Sequence, residues 1–194
     1  MKIVFIRHGE STDDVDNQYG GWADFHLTDK GKEQINNRIP LLKELNITFA
    51  KIFTSPLYRA KETTEIISNE LHIPVEVFEL VKERNKYGVL SGLFKTDAER
   101  KYPEQVECLK DNKFVLGSER YDDFILRVHE SIKQIMQEDS NGDGAIIVVS
   151  HGGYLECLTK EIFNDTVSHF GDGGFIVTEI THTDKRILKK EITD

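Results

Sequence analysis

Two histidines in this sequence sit in the same local setting. Each closes a short apolar run and each is followed by glycine. Ile3-Val4-Phe5-Ile6 leads into Arg7-His8-Gly9-Glu10, and Ala145-Ile146-Ile147-Val148-Val149 leads into Ser150-His151-Gly152-Gly153. Continuous, β-branched runs of this length read as buried parallel strands. The carboxyl ends of such strands are where an α/β sheet presents its ligand site. The residue types fit phosphate chemistry. Arginine offers a planar, always charged fork for phosphate oxygens. Neutral histidine can act as a nucleophile, and glycine lets backbone approach a ligand closely. Taken alone, Arg7-His8-Gly9-Glu10 could be a polar strand end, and His151 a hydrogen-bonded structural histidine. The repeated strand-His-Gly context points to one joint site.

A third cation belongs with them. Thr54-Ser55-Pro56-Leu57-Tyr58-Arg59-Ala60 follows a strand-like stretch ending in Ile52-Phe53. Serine followed by proline predicts a helix N-cap and first helical residue, which puts Arg59 in the first turn. A cation there opposes the helix dipole. Such a placement calls for an anion in front of it.

Together these segments resemble the histidine phosphatase superfamily, the phosphoglycerate mutase-like family, over nearly the whole chain. Arg7-His8-Gly9-Glu10-Ser11 resembles its signature. Gly21-Trp22-Ala23-Asp24, then Leu27-Thr28 and Gly31, resembles the segment that follows. Ser55-Pro56-Leu57 with Arg59-Ala60 and Glu62-Thr63 is similar to the second arginine motif. Leu80 through Gly92 resembles the stretch carrying the acidic proton donor. Gly117-Ser118-Glu119 with Tyr121 and Arg127 resembles the start of the helix upstream of the last strand. Ser150-His151-Gly152-Gly153 is similar to the second histidine motif.

The resemblance implies an α/β three-layer sandwich, with a mostly parallel central sheet and helices on both faces, in a single domain over 1–194. It implies that His8 forms a phosphohistidine, that Arg7, Arg59 and His151 surround the transferred phosphoryl group, and that Glu83 protonates the leaving oxygen. It further implies substrate contacts from Asp14, Gly21 and Gly152, and neither metal nor cofactor. The physics is consistent. Phosphoryl transfer spreads charge over three oxygens, so catalysis is mostly positioning and electrostatics. A covalent intermediate lets water attack in a second, easier step.

Two positions depart from the family pattern. Where the family usually carries an asparagine that touches the phosphate, this chain has Asp14. A carboxylate about 4 Å from a phosphate charge is repelled by roughly 4 kcal/mol per unit charge pair at an effective dielectric of about 20. Asp14 is therefore expected to turn toward an arginine, to be protonated, or to read a polar group on the substrate, unless the loop has moved and left it solvated. The stretch from Glu83 to Gly88 is also one residue longer than the common pattern, which makes Glu79 a competing proton donor. Glu83-Arg84 with Tyr87-Gly88 resembles the family more closely.

Mutases of the family resemble longer chains, with an extra segment between the acidic motif and the last helix. The short stretch from Leu93 to Arg120 favours a phosphatase. A mutase must keep water from its phosphoenzyme, whereas a shorter lid admits it. The expected substrate is a small phosphorylated metabolite. Mutase activity, or a binding module that has kept the fold and lost turnover, are the alternatives.

The chain has 194 residues, 38% hydrophobic and 30% charged, as an ordinary globular domain has. A net charge of −9 argues against a broad nucleic-acid surface. An anionic substrate must then be held by a local cationic pocket. The two cysteines, Cys108 and Cys157, form neither a metal-ligand spacing nor a disulfide scaffold, so free thiols in a reducing cytoplasm are expected. His26, His72, His129, His169 and His182 form no zinc-type pair. The first apolar run is interrupted at Arg7, too early for a signal peptide. No stretch approaches the length of a membrane span.

Strand and helix alternate along the chain, as a βαβ architecture requires. A helix is predicted from Asp29 to Leu45, kinked or broken by Pro40, and another from Ser55 to about Leu71. Val75-Glu76-Val77-Phe78 reads as a short strand. Tyr121 to Glu138 is amphipathic, with Phe124, Val128, Ile132 and Ile135 on one stripe. Phe175 to Thr183 and Arg186 to Ile192 read as a hairpin, and Ser140 to Gly144 as a turn. Gly171-Asp172-Gly173-Gly174 does not join a strand to a helix and reads as a turn; by resemblance it borders the pocket.

Overall fold

Among the described residues, six strands form one sheet: β1 (Lys2–Arg7), β2 (Phe49–Thr54), β3 (Val75–Val77), β4 (Ala145–Ser150), β5 (Phe175–Ile180) and β6 (Lys185–Glu191), in the order β3-β2-β4-β1-β5-β6. The computed structural model describes residues 1–138, 144–167, 169–181 and 183–192. The turn expected from Ser140 lies outside them up to Asp143. Strands β3, β2, β4 and β1 pair in parallel, while β5 runs antiparallel to β1 and β6 to β5. The expected hairpin is therefore present, with its first strand ending at Ile180.

Alternation along the central strands builds two cores. Ile3, Phe5, Ile146 and Val148 face α7 (Tyr121–Glu138) and α8 (Gly152–Phe163). Val4, Ile6, Ile147 and Val149 face the opposite way, toward α2 (Asp29–Asn36), α3 (Ile39–Glu44) and α4 (Tyr58–Leu71). Burial on both faces explains why β1 and β4 read as continuous apolar runs. The α7 stripe of Phe124, Val128, Ile132 and Ile135 is buried as expected. These two helix layers around one sheet are the expected three-layer sandwich.

The helix predicted from Asp29 to Leu45 is two helices, separated at Asn37-Arg38. Pro40 sits in the first turn of α3, where no backbone donor is needed. The segment after Leu93 forms α5 (Lys95–Lys101) and α6 (Pro103–Lys110). They pack on a small separate core of Tyr19, Leu90, Ala98, Val106 and Val115. Among the described residues, no helix is long and apolar enough to cross a membrane.

Candidate active site

Parallel pairing of β1 with β4 sets Arg7 opposite Ser150. The next residue on each strand is therefore a histidine, and His8 N–H donates to Ser150 O at 3.1 Å. The two imidazoles meet edge to face with centroids 5.0 Å apart, both buried. His8 Nδ1 lies 2.7 Å from Gly9 O. A carbonyl only accepts, so Nδ1 carries the proton and Nε2 keeps its lone pair. That Nε2 accepts from Arg59 Nε at 3.1 Å. Burial, then the charges of Arg59 and Arg7, push the His8 pKa well below the ordinary histidine value, against the opposing pull of the Gly9 bond. Burial and the same two arginines hold His151 down likewise. Both rings are neutral near pH 7.

Arg59 is the second residue of α4, in the first turn as expected. The start of that helix differs from expectation. Leu57, not Ser55, is the N-cap, and Pro56 lies outside the helix. Ser55 Oγ is engaged elsewhere, 2.7 Å from His151 Nε2, and it also accepts from Leu57 N–H at 3.4 Å. Asp24 Oδ1 accepts the Tyr58 N–H at the helix start. Arg59 Nη1 and Nη2 donate to Ala23 O at 3.0 Å and Gly21 O at 2.9 Å. Burial lowers its pKa, against the raising effect of Asp13, Glu83, Asp14 and Asp24. A guanidinium remains charged through any such shift.

Arg7 is held from the other side. Nη2 pairs with Asp172 Oδ1 at 2.8 Å, and Nη1 donates to Phe170 O. Asp172 comes from the glycine-rich turn before β5. Two buried nitrogens, Arg7 Nε and His151 Nδ1, have no hydrogen-bond partner among the described residues.

Glu83 faces this cluster from an irregular segment. Its Oε1 accepts from Arg84 N–H at 2.7 Å and its Oε2 from Gly153 N–H at 3.1 Å, within the first turn of α8. Its carbonyl accepts from Trp22 Nε1 at 2.7 Å. Glu79, the competing glutamate, is 72% exposed and points at Lys82. Glu83, together with Arg7, His8 and Arg59, lines a cavity of about 760 Å³ that does not reach Glu79.

Asp14, Gly21 and Gly152 also line this cavity. Asp14 is exposed, and its carboxylate turns back to accept from Ser11 N–H at 3.2 Å, capping the short α1 (Thr12–Val15). Gly21, at φ +56°, presents its carbonyl to Arg59. Gly152 opens α8 beside Arg7 Nε. Gly9 has a different use from the one expected. A Cβ there would lie 2.4 Å from Gly31 O, so its bare backbone admits α2, not a ligand. Among the described residues, no group of three or more His, Cys, Asp or Glu side chains could hold a metal ion.

Sequence reasoning did not find Ser55 as the partner of His151, Asp172 as the partner of Arg7, or Gly153 N–H as a donor to Glu83. Cys108 and Cys157 are free; Cys157 is buried in the core beside α7, and burial pushes its thiol up to about 11.

A neutral histidine faces a second histidine at the ends of β1 and β4, with two arginines and a carboxylate beside the pair. The chain belongs to the histidine phosphatase superfamily (branch 1), whose family model matches residues 3–191. It is 36% identical over 144 residues to the 2,3-bisphosphoglycerate-dependent phosphoglycerate mutase of Streptococcus thermophilus, covering 72% of this chain and 62% of that relative. Thus the match spans less than two thirds of that relative's length. In fold it resembles the alpha-ribazole phosphatase from Shigella flexneri, with a TM-score of 0.84 at 22% identity over 98% of this chain and 96% of that one. It also resembles a mycobacterial glucosyl-3-phosphoglycerate phosphatase, with a TM-score of 0.80 at 17% identity over 99% of each chain.

Proposed function

We propose that this protein hydrolyses small phosphomonoesters, without a metal, through a covalent phosphohistidine on His8. The observation that carries this reading is the state of His8: neutral, with Nδ1–H tied to Gly9 O, the Nε2 lone pair turned to Arg59, and the His151 ring edge to face with its own. In the first half-reaction Nε2 attacks phosphorus, the P–O bond to the leaving group breaks, and Glu83 gives the departing oxygen a proton. In the second, Glu83 takes a proton from water, the hydroxide attacks phosphorus, and the N–P bond breaks to release phosphate. Arg7, Arg59 and His151 Nδ1–H stabilise the equatorial oxygens in both steps. The two free thiols fit a cytoplasmic location.

A mutase is the second reading, favoured by the mutase name of the Streptococcus relative. Against it, the stretch between Leu93 and α7 is only the short α5–α6 excursion, of which Lys95 reaches the cavity, and a mutase must shield its phosphoenzyme from water. The test is a screen of a few dozen phosphorylated metabolites with H8A as the blank. Phosphate release, with acid-labile label on wild type and none on H8A, is the expected result. Interconversion of phosphoglycerates that requires added 2,3-bisphosphoglycerate and releases no phosphate would establish the mutase instead. Phosphate binding without either activity would leave a binding module.

A further inference from the structure

The segment carrying Glu83 has no ladder or helix of its own from Lys82 to Lys86. Something else must fix it. Arg127, on α7, directs all five of its N–H donors to this purpose. Nη1 donates to Leu80 O at 2.9 Å and Lys82 O at 2.7 Å. Nη2 donates to Glu83 O at 3.1 Å and to Glu119 Oε2 at 2.8 Å, and Nε donates to Glu119 Oε1 at 2.8 Å. Glu119 in turn clamps the following residues. Its Oε2 accepts Asn85 N–H at 3.3 Å, and its own N–H donates to Asn85 O at 2.8 Å. The pair is bidentate and mostly buried, at 15% and 13% exposure, so it is a fixed fork, not a loose surface contact. Neither side chain lines the cavity.

We propose that Arg127, locked by Glu119, is the positioning residue for the Glu83 carboxylate, and so governs how well the protein handles leaving groups that need a proton. The proposal rests on the reading of Glu83 as proton donor. A general acid must reach the leaving oxygen within hydrogen-bond distance. By holding the carbonyls of Lys82 and Glu83, and Asn85 through Glu119, Arg127 fixes the backbone from which that carboxylate reaches. Arg127 bonds to none of Arg7, His8, Arg59 and His151, so loss of the fork acts on Glu83 more than on the anion site.

The experiment measures kcat/KM, which reports phosphorylation of His8, across phosphate esters of rising leaving-group pKa for wild type, R127M, E119Q and E83Q. An alkyl phosphate needs the proton; 2,4-dinitrophenyl phosphate does not. For R127M and E119Q, a loss of at least about tenfold on the alkyl ester and under about threefold on the dinitrophenyl ester is expected, within the range general acids supply. E83Q should show the same steepening, more strongly. Circular dichroism checks folding, and E119Q decides the matter should R127M not fold. Equal loss on every ester in R127M and E119Q, with E83Q steep, overturns the proposal and leaves the Glu83 reading standing. An E83Q profile parallel to wild type removes that reading, and the proposal with it.

Discussion

Glu83 and Gly153 are in direct contact: the carboxylate accepts the Gly153 N–H at 3.1 Å, and a Cβ on Gly153 would stand 2.6 Å from Glu83 Oε1. The obstacle is the free end of a side chain, so the fold can absorb a methyl group while Glu83 cannot stay in place. Gly153→Ala should leave the thermal midpoint unchanged or raised, since alanine favours a helix over glycine by up to about 1 kcal/mol. Its kcat/KM on an alkyl phosphate should fall at least about tenfold. Paired thermal unfolding and kinetics check this; full activity would show that Glu83 needs no fixed position.

The two buried imidazoles give the fold a pH dependence of known sign. Both are held neutral when folded, with pKa values well below 6.5, and recover ordinary values on unfolding. Between those limits the unfolded chain binds more protons, so stability is fully present above about pH 6.5 and declines as pH falls toward the folded values. Each histidine contributes at most about 1.4 kcal/mol per pH unit to that slope. Thermal unfolding between pH 7.5 and 5.5 should show the decline. His151→Asn should show a shallower one, and an unchanged slope would exclude His151 as a source.

Ser55→Ala tests the support of the second histidine. It strips the hydrogen-bond partner from buried His151 Nε2, an omission worth about 1–3 kcal/mol in stability. It also frees the ring to place its proton on Nε2, away from the phosphoryl group. kcat/KM should drop roughly tenfold for good and poor leaving groups alike, because the lost interaction is with phosphoryl oxygens. Kinetics on an aryl and an alkyl ester distinguish this uniform loss from the selective loss in Gly153→Ala.

Asp14 provides a probe of charge alone. Asparagine can still accept from Ser11 N–H, so Asp14→Asn should keep the cap of α1 and the thermal midpoint. Removing an exposed carboxylate from the rim relieves about 1 kcal/mol of repulsion at 4 Å in water, or about fivefold. kcat/KM should rise by that factor for all phosphomonoesters. A fall confined to some substrates would instead assign the carboxylate to reading a substrate group.

What the sequence made legible was whatever local chemistry and strand geometry determine. Two apolar runs ending in His-Gly could be assigned to one site because buried parallel strands present their carboxyl ends at one edge of the sheet. Arg59 could be placed because its helix begins where the strand ends. The details that failed depend on partners distant in sequence. Ser55 satisfies every local rule for an N-cap, yet a histidine 96 residues away claims its hydroxyl. Gly9 looks like a ligand-facing glycine until α2 arrives against it with Gly31. Asp172 belongs to a turn whose composition gives no hint that it faces Arg7. The break at Asn37-Arg38 displaced a helix boundary only slightly, since Pro40 had already marked the discontinuity.

The loop from Gly21 to Ala23 touches both ends of the reaction. Its carbonyls at Gly21 and Ala23 hold the guanidinium of Arg59, and the indole between them, from the chain's single tryptophan, holds the Glu83 carbonyl. Three consecutive residues thus act as a tie-rod between the anion clamp and the proton donor. An oxygen that draws Arg59 away from those carbonyls slackens the rod, and the indole, a natural fluorophore, sits where that slack would be seen.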